Sequence, residues 1–381
     1  MGTHAESAHV TTRQWWARPL HSSRLPATSN VVVVPYGTRR SLTSRRLCPA
    51  VAVAWLLLLC AAACANGGDG AGRAAPDATI TVVIKAVENP FFATMRDGVM
   101  AAVRANKVRL AFSAAGGLYD TAGQASALES LGTERASCYV VNPINKTNLI
   151  EPLSHLAKGR PIVNIDSPVD QGAAKSLGVR VAAYVGTDNL AAGRLAADAM
   201  ARSVDRGAKV AVIGGYPGDA PSESRIRGFA DGAQGRFDVV QITAADYDRG
   251  QGRLAAEEIL RARPSVEGFF AANDEMALGI AEAVAATGEG RSVAVIGVDG
   301  TPEALDAVKS GALSATVAQY PYTIGQLGVE ACLAAIRGIS VPANIVAPIQ
   351  VVTPENVTRA QAEFPRPVEP FNDVVAELLK P

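Results

Sequence analysis

From Thr79 onward the chain repeats one rhythm. Short runs of β-branched and other apolar residues at 79–87, 108–113, 138–141, 161–165, 182–186, 208–213, 238–243, 267–271, 293–298 and 314–318 alternate with stretches of helical spacing. The runs are nearly continuous rather than alternating, as expected of parallel strands covered on both faces. The best-marked helix, 90–105, follows Asn89 as a cap and Pro90 as a first-turn residue, and Phe92, Met95, Val99 and Val103 share one of its faces. Ten strands exceed one ordinary open sheet of this kind. The pattern therefore predicts an α/β protein of two doubly wound parallel-sheet lobes. No Gly/Ser-rich linker separates them, so the chain is expected to pass between lobes in single extended crossings. Residues 358–381, with Pro365, Pro367 and Pro370, are expected to add little to the core.

Ahead of this body the pattern changes. Arg39-Arg40-Ser41-Leu42-Thr43-Ser44-Arg45-Arg46 precedes an apolar run from Ala50 to Leu59, followed by small residues up to Cys64. A basic flank, a short apolar core and a small-residue cleavage site are the marks of a secretory signal, and the uncharged run is too short for a bilayer span. Residues 1–63 read as leader and signal peptide. The stretch 1–38, without periodicity, suggests a start site set too far upstream. Ala61-Ala62-Ala63-Cys64 followed by Ala65-Asn66-Gly67-Gly68-Asp69 resembles a bacterial lipobox with Cys64 as the lipidated residue and 64–78 as a tether. An ordinary cleaved signal with an incidental Cys is the competing reading.

Composition removes several function classes. Of 381 residues, 48% are apolar and 19% charged, far from a disordered chain. The formal charge of +0 hides an asymmetry: residues 1–64 hold seven of the 36 basic and one of the 36 acidic residues, so 29 basic face 35 acidic thereafter. That mildly acidic body lacks the basic footprint of a nucleic-acid binder. All Trp and three of four His also precede residue 65, leaving His155, Cys138 and Cys332. Neither a zinc site nor a Cys/His nucleophilic couple has material to draw on. No Gly-x-Ser-x-Gly elbow or phosphate loop occurs, so no catalytic residue, metal or cofactor is expected.

In doubly wound sheets ligands bind beyond the carboxyl ends of the strands. The residues there are rich in Asn, Asp, Arg and Gln with a few aromatics. A sugar or polyol needs that set: carboxylates to accept, a forked Arg to donate, amides to do both, and rings to stack on C–H faces. Phe91, Phe92 and Tyr247 are candidates for stacking, and Asp166, Asp299, Arg225, Asn89, Asn142, Asn273 and Gln319 for the polar shell. Phe91 lies about 100° around the helix from Phe92 and is the better stacking candidate. Each has a plainer reading: Asn89 and Asp274 as helix caps, Phe92 as core, Asp299 as a turn, Arg225 as a partner of Glu223 or Asp219. Asp188 reads as a cap. Cys138 and Cys332 read as inert core thiols, with a bridge as the alternative in an exported protein.

The blocks Asn89-Pro90-Phe91-Phe92, Asn142-Pro143, Asn164-Ile165-Asp166, Thr187-Asp188-Asn189, Ala272-Asn273-Asp274-Glu275-Met276-Ala277-Leu278-Gly279, Val298-Asp299-Gly300 and Ala318-Gln319-Tyr320-Pro321 resemble, in order across about 79–357, the ribose-type periplasmic sugar-binding proteins. The resemblance implies a type I periplasmic binding protein with three crossings, near Thr187, Gln319 and Pro348. By that likeness 79–186 plus 320–348 form an N-terminal lobe, 187–319 plus 349–357 a C-terminal lobe and 358–381 a tail. It implies a non-enzymatic monomer, lipid-anchored outside the cytoplasmic membrane or periplasmic. Such a protein captures a monosaccharide or polyol and delivers it to an ABC transporter permease. The shell carried over is the ten residues just named. Two departures, Ser167 where the family has Arg and Val298 where it has an aromatic, point away from ribose itself. A ligand-presenting sensor for chemotaxis or signalling is the alternative reading. The effector core of a sugar-responsive repressor would need a helix-turn-helix where the export signal stands.

Overall fold

The computed structural model describes residues 78–132, 136–288 and 293–380, together with the backbone of a two-residue strand, Val32–Val33. The rest of the expected leader, Cys64 and the tether to residue 77 lie outside the described residues.

The first lobe opens with β1 (Val32–Val33), β2 (Thr79–Ile84), α1 (Pro90–Asn106), β3 (Arg109–Ala114), α2 (Thr121–Leu131), β4 (Cys138–Val141), α3 (Ile150–Leu156), β5 (Ile162–Ile165), α4 (Gln171–Ser176) and β6 (Val181–Thr187). The second holds α5 (Asn189–Ser203), β7 (Lys209–Gly214), α6 (Ala220–Ala233), β8 (Asp238–Ala244), α7 (Arg249–Ala262), β9 (Val266–Ala271), α8 (Asp274–Ala286), β10 (Ala294–Asp299), α9 (Pro302–Ser310) and β11 (Ala315–Gln319). Then α10 (Pro321–Ile336) and β12 (Asn344–Ala347) rejoin the first lobe, β13 (Ile349–Val352) and α11 (Val357–Glu363) the second, and α12 (Val374–Leu379) the first.

The sheet orders are β1-β3-β2-β4-β5-β6-β12 and β13-β11-β10-β9-β7-β8. All ten expected strands form, and their pairs are parallel. β12 and β13 were not expected. They are four-residue edge strands on either side of Pro348, and β13 runs antiparallel to β11. The chain changes sheets after Thr187, after Gln319 and at Pro348, all at the β6/β12 and β11/β13 edges.

Two sequence readings are corrected here. Val375 of the tail is fully buried in the first lobe's core, and Val368 and Ala360 are buried in the second's. The tail thus packs on both lobes, because the short helices α11 and α12 turn Ala360 and Val375 inward and Val368 follows between them. Cys138 and Cys332 are not free thiols but a disulfide, Cα to Cα 5.9 Å and 194 residues apart. The bridge forms because α10 lies across β4 and β5, bringing the returning chain over the strand that carries Cys138.

One packing detail positions the site. α5 and α6 touch backbone to backbone: a Cβ on Gly193 would run into the Arg225 carbonyl, and one on Gly228 into that of Leu190. The two glycines set how deeply α6, which bears Arg225, sits against α5.

Candidate functional site

Between the lobes lies a cavity with an empty volume of about 480 Å³, counted out to its solvent-open mouth. Eight of the ten candidates line it: Asn89, Phe91, Phe92, Asp166, Arg225, Tyr247, Asn273 and Asp299. Lys85, Leu118, Ser167, Tyr216, Asp219 and Pro221 complete the wall. Both lobes contribute, each from the carboxyl ends of its strands.

On the first lobe, Asn89 caps α1, its Oδ1 accepting from Phe91 N–H at 2.9 Å, so the cap and the cavity wall are one residue. Phe91 and Phe92 meet edge to face, centroids 5.2 Å apart. Both are core and wall at once. Lys85, 5% exposed, reaches over the Phe92 ring at 5.5 Å and donates from Nζ to Ser167 Oγ at 2.7 Å. An ammonium has three donors, and one hydrogen-bond partner among the described residues leaves capacity for the cavity that Lys85 lines. Ser167 Oγ donates in turn to Asp166 Oδ2 at 3.3 Å. Asp166 sits at φ 60° after β5, where its backbone carbonyl accepts from the Tyr184 hydroxyl at 2.6 Å. Burial pushes its carboxyl above the usual range, against the pull of Lys85 and Arg225.

The second lobe presents its groups already held. Arg225 on α6 donates Nε to Asn189 Oδ1 at 2.7 Å and Nη1 to the Ala272 carbonyl at 2.5 Å, and stands 3.7 Å from Asp299 Oδ1. The surface pairing with Glu223 or Asp219 is not what forms. Asp299, the last residue of β10, also accepts from Gln319 Nε2 at 2.7 Å. Burial raises its carboxyl well above the usual range, with Arg225 opposing. Asn273 caps α8, accepting from Met276 N–H at 3.0 Å. Asp219 caps α6, accepting from Ser222 N–H at 3.0 Å, and Tyr247 donates its hydroxyl to the same carboxylate.

Asp166, Asp246, Tyr247 and Asp299 all lie at positive φ, 60°, 55°, 60° and 138°. Non-glycine residues in such conformations concentrate where surrounding structure over-determines them, commonly at ligand clamps. For Asp299 the determinant is visible. Asp274, expected as a cap, is instead a buried bracket: Oδ2 accepts from Thr301 N–H at 2.8 Å and Oδ1 from the Thr316 hydroxyl at 2.6 Å. The capping of α8 belongs to Asn273, and Asp274 holds the turn that follows Asp299. Asp188 does cap, accepting from Ala191 N–H at 2.9 Å.

The remaining two candidates stand outside the lining. Asn142 is fully buried, and Gln319 lies behind Asp299 at the second crossing. Each keeps one side-chain oxygen, Asn142 Oδ1 and Gln319 Oε1, buried without a partner among the described residues. The sequence reading missed Lys85 because it ran the first strand to 87, whereas β2 ends at Ile84 and Lys85 is the residue directly after it. Tyr216 and Asp219 lie after β7, where Asp219 reads in the sequence only as a surface partner for Arg225 and Tyr216 has no feature separating it from an ordinary loop residue. Among the described residues no cluster of three or more His, Cys, Asp or Glu is placed to hold a metal ion.

A family model described as a periplasmic binding protein domain matches residues 80–340. The ribose import binding protein of Bacillus subtilis is 34% identical over 276 residues, 72% of this chain and 87% of that protein. Among solved structures, the fold is similar to an ABC transporter periplasmic solute-binding protein from Actinobacillus succinogenes with bound D-allose. That match has a TM-score of 0.69 and 28% identity, covering 74% of this chain and 99% of that one. A solute-binding protein from Bacillus halodurans with bound myo-inositol gives 0.68 and 27%, covering 75% and 97%.

Proposed function

The chain belongs to the periplasmic binding protein domain family, and from that premise we propose that it captures an uncharged monosaccharide or polyol between its lobes and delivers it to an ABC importer. The single observation carrying this is the interlobe cavity, which joins rings from one lobe to forked and acidic groups from both. Lys85 and Arg225 face Asp166, Asp219 and Asp299, so the wall offers no surplus of cation for a phosphate or carboxylate. In this reading the eight lining candidates contact the ligand, and Asn142 and Gln319 act from behind the wall, Gln319 by holding Asp299. Lys85 supplies the donor that Ser167, in place of the family's Arg, does not.

The ligand is held and released unchanged. It docks on one lobe, and the other closes over it about the crossings at Thr187, Gln319 and Pro348, shifting an open–closed equilibrium. A wrong epimer then leaves a buried polar group unpaired, which costs affinity steeply. The sensor reading uses the same closed form, and loss of uptake on deleting the partner permease distinguishes transport from signalling.

Export follows from the same proposal, with Cys64 as the lipidated residue and a monomer outside the cytoplasmic membrane. The Cys138–Cys332 disulfide supports that compartment, since such bonds persist where the surroundings are oxidising. Among the described residues no helix is long and apolar enough to cross a membrane. Isothermal titration against D-ribose, D-allose, D-arabinose and myo-inositol, with ribose 5-phosphate as the charged control, tests the function. Saturable heat with at least one neutral member and none with the phosphate is expected; a folded sample silent to every neutral member overturns it.

A further inference from the structure

The three crossings lie at one edge of the paired sheets, and a second set of interlobe contacts lies toward the other. Tyr119 follows β3 and Ile144 follows β4 on the first lobe; Tyr216 follows β7, and Asp246 and Tyr247 follow β8 on the second. The Tyr119 hydroxyl donates to the Asp246 carbonyl at 3.0 Å, and the Tyr216 hydroxyl donates to the Ile144 carbonyl at 2.8 Å. Each bond joins one lobe to the other. Between them the rings form a ladder, Tyr119 on Tyr216 at 5.7 Å and Tyr216 on Tyr247 at 5.6 Å, both edge to face.

We propose that the Tyr119–Tyr216–Tyr247 ladder is a clasp that holds the lobes shut opposite the crossings and sets how long a bound ligand stays. The proposal rests on the sugar-capture reading and adds positioning residues to it. The geometry has a direction: Tyr247 and Tyr216 line the cavity, whereas Tyr119 is 59% exposed. A ring that exposed contributes little to its own lobe's core, yet it caps the ladder and ties down the Asp246–Tyr247 pair, both at positive φ. Contacts far from a hinge have the longest lever arm and break first on opening. Edge-to-face pairs and neutral hydrogen bonds are individually modest, so the clasp is releasable rather than permanent. The phenols stay protonated donors, that of Tyr119 pushed up to about 12 by partial burial and by the charges of Asp246 and Asp248.

The test compares Tyr119→Phe, which keeps the ring and loses the bond, with Tyr119→Ala and Tyr216→Phe, each checked by thermal melting. For whichever of D-ribose, D-allose, D-arabinose and myo-inositol the unaltered protein binds, stopped-flow rates should show faster dissociation. About 3-fold is expected for each Phe variant and roughly 10-fold for Tyr119→Ala, with the association rate unchanged or faster and the melting temperature unchanged. Dissociation within twofold of the unaltered protein for both Tyr119→Ala and Tyr216→Phe overturns the clasp. If no member binds, the sugar reading falls and small-angle X-ray scattering of the ligand-free proteins decides the clasp alone. A larger radius of gyration for Tyr119→Ala supports it, and an identical one overturns it.

Discussion

On the second lobe nearly every polar group facing the cavity is anchored by its own lobe: Arg225 by Asn189 and the Ala272 carbonyl, Asn273 and Asp219 by their helix N-termini, and the turn after Asp299 by Asp274. On the first lobe Asn89 caps α1 and Ser167 bonds Asp166, but Lys85 has Ser167 as its one hydrogen-bond partner among the described residues, and Phe91, Phe92 and Leu118 make up the rest of the wall. The anchored half has lost its freedom before any ligand arrives, so its contacts cost little ordering on binding. The first half keeps spare donor capacity and carries the departure at Ser167 on the cavity wall, whereas the other departure, Val298, is buried in the second lobe's core and off that wall. From that difference we propose that the second lobe carries the recognition common to all ligands and the first the discrimination between sugars.

The comparison is broken most severely at Asp299. Asp299→Ala removes a buried acceptor and the carboxylate beside the Arg225 guanidinium, so calorimetry should show ligand affinity falling about 100-fold or more while circular dichroism keeps the folded signature. An affinity within tenfold of the unaltered protein removes Asp299 from the site. Next in size is the disulfide, found only in the first lobe among the described residues. Cys138→Ser with Cys332→Ser should lower that lobe's stability by about 2–5 kcal/mol, read as a melting temperature lower by roughly 10 °C. A drop confined to one of two resolved transitions would show that the lobes unfold separately.

Lys85→Met sharpens the contrast rather than breaking it. It should cost about 10- to 30-fold in affinity and, unlike Asp299→Ala, reorder the preference among D-ribose, D-allose, D-arabinose and myo-inositol in a titration series. A uniform loss across the series would place discrimination elsewhere.

The smallest effect expected is a pH dependence at the tail. Burial and the nearby Asp373 push the Glu330 carboxyl up to about 7 from its ordinary 4.5, and its Oε2 has no partner among the described residues. The folded protein therefore keeps this proton to higher pH than the unfolded chain. The stabilisation is full below about pH 4.5 and is lost as pH rises through about 7. Glu330→Gln should raise the melting temperature at pH 8, on the order of 3 °C, and leave it nearly unchanged at pH 4.5. Equal shifts at both values would contradict the assignment.

Much of this was legible in the sequence because local chemistry determined it. Asn89, Asp188 and Asn273 are read as caps or strand-end residues from two or three neighbours, and near-continuous apolar runs mark strands buried on both faces. What was not legible depends on distance along the chain or on a boundary. The disulfide joins residues 194 apart through the seating of α10, which no local pattern announces. Lys85 was hidden by a strand end placed three residues late, and Asp274 by bonds to Thr301 and Thr316 from separate elements. The tail's anchor Val375 lies in a short helix after Pro365, Pro367 and Pro370, which suggest a loose segment.

The most direct test is a crystal structure with the tightest-binding neutral sugar of the titration series. The expected result is one ring enclosed between the lobes, its C–H face on Phe91 and its hydroxyls within hydrogen-bond distance of Asp299, Arg225, Asn89 and Lys85. Density for the sugar on an outer surface, with the space between the lobes empty or filled by the protein's own side chains, would contradict the account.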